Sequence, residues 1–281
     1  MKLERFARRP VVALNPGDTL NHAMQQMWRM SIQHLPVVRH GRPVGMVSER
    51  DLLYHVCGDS YAVHELSHKH LKHMLGTSRV DDVMSTPLIS LSPEDSVHDA
   101  VRLMLREGIG AVPLVTRDSI VGIVTETDIL KCFLEEHSLL LCDELPKSGI
   151  VDYMSAHVFT VTPTDLKPAV IRLMRDKQVS SVPVVSDDGA LLGIITEAGV
   201  LIGRKHDEGE TVAGETADAH VEARDIMNES PATLALDSRV KDAARLMVAN
   251  SSDYALVAED GKLVGILTST DLVRAFVQAN V

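Results

Sequence analysis

The sequence of 281 residues is long enough for two domains of ordinary size. Hydrophobic residues make up 45% and charged residues 24%, as in a folded globular protein, but aromatic residues make up only 3%, so aliphatic residues and methionine must form the core. The formal net charge of −11 disfavours general nucleic-acid binding, which depends on neutralising phosphates with Lys and Arg. No apolar stretch reaches the roughly 18 residues of a membrane-spanning helix, and the sequence shows no apolar core of a signal peptide. The three cysteines form no CxxC pair. We therefore expect a cytoplasmic protein.

Four copies of one pattern run along the chain, and each begins with a short strand that ends near a proline. These strands cover residues 11–16, 88–93 and 158–163, and in the fourth copy Leu236 follows residues 232–235 where the proline would stand. An amphipathic helix comes next, because apolar side chains recur at the i, i+3, i+4 and i+7 positions of one helical face. The members of this face in the second copy are Val97, Ala100, Val101 and Met104. A methionine in such a stripe is typical of core packing rather than of a cofactor site.

The second half of each copy is a strand, a turn and another strand that runs directly into a helix. The strands that come first contain Val-Pro-Val-Val or a related sequence and cover residues 35–38, 112–115, 182–185 and 254–257. The strands that follow contain Gly45, Gly122, Gly193 and Gly265. Each copy is therefore strand–helix–strand–strand–helix, and a unit of about 50 to 60 residues buries too little surface to be stable alone. The sequence predicts an α/β (α+β) fold in which four repeats associate in pairs.

The order of these parts, with Arg-Leu-Met in the first helix and Gly-Ile-Val-Thr-x-x-Asp at the last strand, resembles the CBS domain, a ligand-sensing module that works in tandem pairs. The resemblance implies two pseudo-twofold CBS-pair modules, often called Bateman modules, with two clefts between the repeats of each pair. The expected segments are repeat one (1–56), a histidine-rich linker (57–79), repeat two (80–135), an inter-pair linker (136–149), repeat three (150–204), an acidic linker (205–222) and repeat four (223–281). The first pair covers residues 1–135 and the second covers 150–281.

Thr125 and Asp128 have the spacing of a capping box at the start of the last helix of repeat two. The plain structural interpretation is that their side chains satisfy amides of the first helical turn. The same parts also suit a nucleotide, because a helix N-terminus offers amides and partial positive charge to a phosphate. An aspartate one turn on can accept hydrogen bonds from two neighbouring ribose hydroxyls. Both interpretations stay open on spacing alone.

In nucleotide-binding CBS repeats, the Ser or Thr of this motif contacts phosphate and the Asp holds the ribose hydroxyls. The resemblance assigns these roles to Ser48 with Asp51, Thr125 with Asp128, and Thr268 with Asp271. Repeat three keeps Thr196 but has Gly199 where the aspartate would stand, so we expect its site to be degenerate.

The resemblance also implies where the base would lie, between apolar side chains and backbone groups of the two edge strands. The positions on the first strands are Ala13, Ser90, Thr160 and Thr233. The positions on the second strands are His34, Leu35, Ala111, Val112, Ser181, Val182, Asp253 and Tyr254.

Histidines crowd the first linker, where His64 and His68 lie four residues apart and would share one face of a helix. That spacing can chelate a metal ion. A solvated polar face is the simpler interpretation, because no closed set of ligands is evident. His64 and His68 are therefore weak candidates for a metal site.

No catalytic motif is evident: the sequence has no GxSxG elbow, no phosphate loop ending in Gly-Lys-Ser/Thr, no HExxH and no GxGxxG after a strand. We therefore expect a non-enzymatic regulatory protein that binds AMP, ADP, ATP or S-adenosylmethionine, with no resident cofactor and with Mg²⁺ as a candidate companion ion. The family resemblance implies a homodimer, or an intramolecular stack of the two pairs. We also expect an unidentified protein partner, and the net charge and the lack of a long apolar stretch predict no role for nucleic acid or a membrane. Alternatives are a metal-responsive regulator that uses the first linker, a ligand-free oligomerisation scaffold, and an enzyme acting on the bound nucleotide.

Overall fold

The computed structural model describes residues 1–57, 68–135, 148–202 and 221–278. Each repeat contains a helix, an antiparallel hairpin and a second helix. The elements of the first two repeats, in chain order, are α1 (Leu20–Met30), β1 (His34–Arg39), β2 (Arg42–Ser48), α2 (Glu49–Cys57), α3 (His68–Thr77), α4 (Val97–Glu107), β3 (Ala111–Thr116), β4 (Ser119–Thr125) and α5 (Glu126–Glu135). The elements of the last two repeats are α6 (Lys167–Lys177), β5 (Ser181–Val185), β6 (Leu191–Thr196), α7 (Glu197–Ile202), α8 (Ala223–Ile226), β7 (Thr233–Leu234), α9 (Val240–Asn250), β8 (Tyr254–Glu259), β9 (Lys262–Thr268) and α10 (Ser269–Gln278).

The first strand of each repeat is shorter than the sequence predicts. In repeats one to three it is a single bridging residue, parallel to the first hairpin strand, as where Leu14 pairs with Val37. The chain turns soon afterwards, because the Asp18 carboxylate accepts a hydrogen bond from the Asn15 amide at 2.7 Å. Repeat four, the copy without the proline, forms the two-residue strand β7.

The amphipathic helices carry the core as predicted. Val97, Ala100, Val101 and Met104 are all at most 3% exposed, and the equivalent side chains of α9 are likewise buried. In α1, Leu20, Ala23 and Met27 are buried and Met24 is partly buried. Cys132 on α5 is 1% exposed, so it lies in the core. The predicted stripes therefore face the hairpins of their own repeats and the neighbouring helices.

A segment that precedes each repeat crosses to the other repeat of its pair. The Arg8 amide donates to the Ile123 carbonyl at 2.9 Å, and the Ser85 amide donates to the Met46 carbonyl at 2.8 Å. The second pair is crossed in the same way, where the Ser155 amide donates to Ile266 at 2.8 Å. The exchange joins repeats one and two into one module and repeats three and four into the other.

The motif glycines make room for these crossing segments. A Cβ atom placed on Gly122 would lie 2.8 Å from the Cβ of Ala7, and one on Gly45 would lie 2.8 Å from the Ser85 carbonyl oxygen. Since real Cβ atoms essentially never approach other heavy atoms so closely, a side chain at either position would displace the crossing segment.

The two pairs stack against each other within the chain through their second helices. Repeat one meets repeat three where Arg50 of α2 donates to Glu197 of α7 at 2.9 Å. Repeat two meets repeat four where Ser269 and Thr270 of α10 donate to Glu126 of α5, at 2.5 and 2.9 Å. The intramolecular stack that the family resemblance implied is therefore present, while a homodimer stays a prediction. In the part of the chain that the structure describes, no helix has both the length and the apolar character to cross a membrane.

Candidate functional site

The predicted capping boxes are confirmed in three repeats. Oδ2 of Asp128 accepts from the amide and the hydroxyl of Thr125 at 3.1 and 2.7 Å, while Thr125 Oγ1 accepts from the Asp128 amide at 3.3 Å. Ser48 with Asp51 and Thr268 with Asp271 make the same three contacts. A hydroxyl and a carboxylate therefore lie together at the start of α2, α5 and α10.

Repeat three lacks this arrangement, as its glycine predicted. Thr196 Oγ1 accepts from the Gly199 amide at 3.2 Å, so the hydroxyl still caps α7, but position 199 offers no carboxylate. A Cβ atom at Gly199 would lie 3.2 Å from the Ile226 carbonyl oxygen, so any larger residue would have to move its neighbours.

The hairpin register brings the predicted base-binding positions next to the motif. His34 pairs with Ser48, Ala111 pairs with Thr125, and Ser181 pairs with Thr196. The following residues, Leu35, Val112 and Val182, are fully buried and belong to the core. His34, Ala111 and Ser181 therefore lie beside the helix start in their own repeats.

The predicted position in repeat four was wrong by one residue. Tyr254, not Asp253, pairs with Thr268, so the positions equivalent to His34 and Leu35 are Tyr254 and Ala255. The first-strand positions Ala13, Ser90, Thr160 and Thr233 are all exposed. Ala13 adjoins Leu14, which bridges to β1, so this exposed position also lies near the hairpin that carries the motif.

The carboxylates of the three motifs have different neighbours. Arg8 Nε donates to both oxygens of Asp128, at 2.8 and 3.0 Å, and Asp128 is only 4% exposed. Asp271 is more open, with its side chain 19% exposed and Arg274 at 3.7 Å. Asp51 is half-buried, and no hydrogen bond from an arginine or lysine to its carboxylate occurs in the described residues.

Buried acids meet where the two pairs contact each other, and sequence reasoning did not find them. Burial, together with the nearby carboxylates of Glu197 and Asp253, raises the pKa of Glu49 to about 8. Burial also raises the pKa of Glu197, which Arg50 opposes, and the pKa of Asp253. The neutral, protonated form of Glu49 is therefore favoured at neutral pH.

Glu126 occupies the equivalent position in repeat two. Burial raises its pKa, while the hydrogen bonds from Ser269 and Thr270 lower it. A sequence signal was present, because Ser48, Thr125 and Thr196 are each followed directly by a glutamate. Only the stacking of the two pairs shows that Glu49 approaches Glu197 and that Glu126 meets α10.

His34 lies at the same place and is electrically neutral at physiological pH. Burial, together with the positive charge of Arg50, lowers the pKa of His34 to about 4. The imidazole therefore offers one hydrogen-bond donor and one acceptor beside Ser48 rather than a positive charge.

The described residues hold no group of three or more His, Cys, Asp or Glu side chains arranged for a metal ion. His64 lies outside the residues that the structure describes, and His68 begins α3 with a side chain that is likewise not described. The proposed metal role of the first linker therefore stays a prediction.

These elements can recognise a molecule with an anionic group and a pair of hydroxyls. Each complete motif places a hydroxyl at a helix N-terminus, where partial positive charge favours an anion. The carboxylate one turn on can accept two hydrogen bonds from neighbouring hydroxyl groups.

Comparison with known sequences identifies a family. The model of that family, the CBS domain, matches residues 3–58, 80–135, 150–202 and 223–278. The uncharacterized protein MJ1225 of Methanocaldococcus jannaschii is 25% identical over 276 residues, which cover 95% of each chain. Inosine-5'-monophosphate dehydrogenase of Korarchaeum cryptofilum is 34% identical over 128 residues, but these make up only 25% of that enzyme.

Solved structures show the same architecture. The crystal structure of MJ1225, described as a proposed archaeal homologue of g-AMPK, has a TM-score of 0.80 and 23% identity, and the match covers 98% of this chain and 100% of that one. A conserved protein of Pyrococcus horikoshii has a TM-score of 0.64 and 19% identity, with 98% and 100% of the two chains covered. At these identities the likeness establishes the fold.

Proposed function

Because the chain belongs to the CBS domain family, we propose that it is a non-enzymatic sensor that binds adenosine-containing ligands and passes the resulting change to a protein partner. The ligands would be AMP, ADP, ATP or S-adenosylmethionine, bound in the clefts between paired repeats. The observation that carries the proposal is the hydroxyl–carboxylate arrangement at the starts of α2 and α10.

The ribose would bind to the carboxylates that remain accessible. Asp51 and Asp271 each accept from the amide and hydroxyl of their own motif through Oδ2, which leaves Oδ1 for a ligand. Ser48 and Thr268 retain lone pairs on their hydroxyls, and each can rotate its proton toward a phosphate. The base would lie against the first-strand and second-strand positions, such as Ala13 and His34 in repeat one.

The buried acids bear on the charge of the ligand. Glu49 follows Ser48 directly, so an ionised Glu49 would repel a phosphate bound at that hydroxyl. Because the pKa of Glu49 is raised to about 8, the carboxyl is mostly neutral at physiological pH and the repulsion is removed. An anionic tail is therefore compatible with repeat one near neutral pH.

Ligand binding would reach the other pair through the helix that the motif begins. Ser48 ends β2, and Arg50, two residues further on α2, donates to Glu197 of the second pair. Thr268 stands in the same relation to Ser269 and Thr270, which donate to Glu126 of the first pair. A ligand that binds one arrangement of these contacts more tightly shifts the population toward it by its differential affinity.

A thermal-shift screen of the full chain with AMP, ADP, ATP and S-adenosylmethionine tests the proposal. We expect at least one of them to raise the melting temperature, because a ligand that binds only the folded state stabilises it. The shift should fall in the Asp51→Ala variant and persist in Asp99→Ala. Asp99 is a matched control, since it forms the same capping box with Ser96 on an exposed helix start. No shift with any of the four compounds would favour the ligand-free scaffold.

A further inference from the structure

Four equivalent positions in the crossing segments lie next to the four motifs. Each makes a backbone bridge to the residue two positions before the motif hydroxyl: Arg8 to Ile123, Ser85 to Met46, Ser155 to Ile266 and Asn228 to Ile194. Both hydrogen bonds of each bridge are present, at 2.8 to 3.3 Å. The backbone therefore holds one residue of the crossing segment in the same place beside every motif. The side chain of that residue determines which group lies next to the motif.

Arg8 differs from its three counterparts in length and charge. Ser85, Ser155 and Asn228 are exposed, whereas Arg8 is half-buried with its guanidinium against Asp128. Burial at its N-terminal side holds this segment in place, because Leu3 is fully buried in the core of repeat two. Arg8 thus reaches across 120 residues of sequence to a carboxylate of the partner repeat.

The Asp128 carboxylate accepts hydrogen bonds on both oxygens, whereas those of Asp51 and Asp271 accept on Oδ2 in the described residues. Oδ2 accepts from the Thr125 amide, the Thr125 hydroxyl and Arg8 Nε, while Oδ1 accepts from Arg8 Nε and lies 3.7 Å from Lys131 Nζ. The positively charged guanidinium also attracts the carboxylate by Coulomb's law, which a neutral hydroxyl does not. Neutral ribose hydroxyls would therefore have to replace a stronger donor.

We propose that Arg8 closes the cleft at Asp128, so that the chain takes adenosine ligands only at Asp51 and Asp271, one in each pair. The inference rests on the proposed function, because it assigns which of the three complete motifs bind. Ser85 and Ser155 leave the Asp51 and Asp271 motifs open because a serine at the crossing position cannot reach the carboxylate. Asn228 bridges to Ile194 in repeat three, whose motif has Gly199 and no carboxylate. Arg8 is a specificity-determining residue that sets the number of sites.

Equilibrium dialysis with radiolabelled AMP counts the sites in the full chain. The wild type should bind about two AMP molecules per chain. Arg8→Ser copies the residue found at the open positions and should add a third site, which Arg8→Ser with Asp128→Ala should remove. Ser85→Arg is the reverse exchange and should close the Asp51 site. Asp128→Ala in the wild-type background should leave the count and the affinity unchanged within about twofold.

The outcomes separate this inference from the function on which it rests. If wild type binds AMP and Asp128→Ala removes a site, or if Arg8→Ser adds none, the role of Arg8 is refuted while the sensor function stands. If neither the wild type nor Arg8→Ser binds AMP, ADP, ATP or S-adenosylmethionine in the same assay, both are refuted. Arg8→Gln, which keeps much of the aliphatic stem, replaces the serine variant if circular dichroism shows that Arg8→Ser is unfolded.

Discussion

The Glu49→Gln substitution tests whether a buried carboxyl at the junction of the two pairs is neutral in the folded state. The pKa of Glu49 is raised from 4.5 to about 8, chiefly by burial and then by Glu197 and Asp253. Below the unfolded value both states carry the proton, so Glu49 has no effect on stability. Between 4.5 and about 8 the folded state keeps a proton that the unfolded state releases. The free energy of unfolding therefore falls as pH rises through this window.

The size of the effect follows from the shift. Each pKa unit corresponds to about 1.4 kcal/mol, so the Glu49 carboxyl lowers the free energy of unfolding by about 3 to 4 kcal/mol between about pH 5 and about pH 8. Glutamine is uncharged at both values and removes this contribution. Urea unfolding at the two pH values should show the variant gaining that difference over the wild type. The other ionisable groups are present in both proteins, so the difference between the two profiles reports Glu49 together with its coupling to Glu197 and Asp253.

Glu229→Gln provides the control, because Glu229 is exposed and its removal changes the net charge by the same amount. Its profile should run parallel to that of the wild type, within about 0.5 kcal/mol. If Glu49→Gln also runs parallel to the wild type, the carboxyl is ionised in the folded protein, and the description of the junction as a place of neutral acids fails.

Three further predictions concern the junction and the crossing segment. Arg50→Ala leaves the Glu197 carboxylate without its arginine donor and should lower the free energy of unfolding, measured in urea, by about 1 to 3 kcal/mol. Arg106 is exposed, so Arg106→Ala should change the free energy of unfolding by less than about 1 kcal/mol. Equal losses in the two variants would contradict a special role for the junction. Leu3→Ala removes a fully buried side chain and should cost about 2 to 5 kcal/mol, and a loss below about 1 kcal/mol would mean that the crossing segment is not anchored. The affinity for AMP, measured by calorimetry, should fall as pH rises through about 8, because Glu49 ionises there and repels the phosphate. The Glu49→Gln variant should not show this dependence. A wild-type affinity that is constant across this range would contradict the placement of phosphate at Ser48.

The sequence predicts what depends on local pattern and repetition. Thr125 and Asp128 form a capping box, and this contact is predictable because it joins residues only three positions apart in the sequence. The buried stripe from Val97 to Met104 follows from helical periodicity alone. The degenerate motif at Gly199 is equally evident, since the comparison of four copies shows the missing carboxylate.

What the sequence does not predict depends on contacts between distant segments. Arg8 and Asp128 are paired only because the N-terminal segment crosses to repeat two, and no spacing in the sequence signals that exchange. Glu49, Glu126 and Glu197 are the same residue at equivalent positions, but their environments differ once the pairs stack. Arg50 donates to Glu197 and a hydroxyl of α10 donates to Glu126, whereas neither donates to Glu49. Long-range burial therefore distinguishes repeats that look alike in sequence.

The position of Tyr254 illustrates a smaller failure of pattern matching. The apolar run of repeat four lacks the proline that aligns the other three repeats, so the pattern places the equivalent of His34 one residue too early. In a strand, a shift of one residue moves a side chain to the opposite face, and only the pairing with Thr268 fixes the register.

Isothermal titration of the Asp51→Ala, Asp271→Ala double variant tests most directly whether the capped helix starts are ligand-binding sites. Each carboxylate hydrogen bond to a ribose hydroxyl is worth about 1.5 to 3 kcal/mol, so the double variant should bind the best ligand of the thermal-shift screen at least about tenfold more weakly than the wild type. Asp99→Ala, which loses an equivalent cap outside the clefts, should bind it with wild-type affinity. Wild-type affinity in a folded double variant would show that these motifs are helix caps and nothing more.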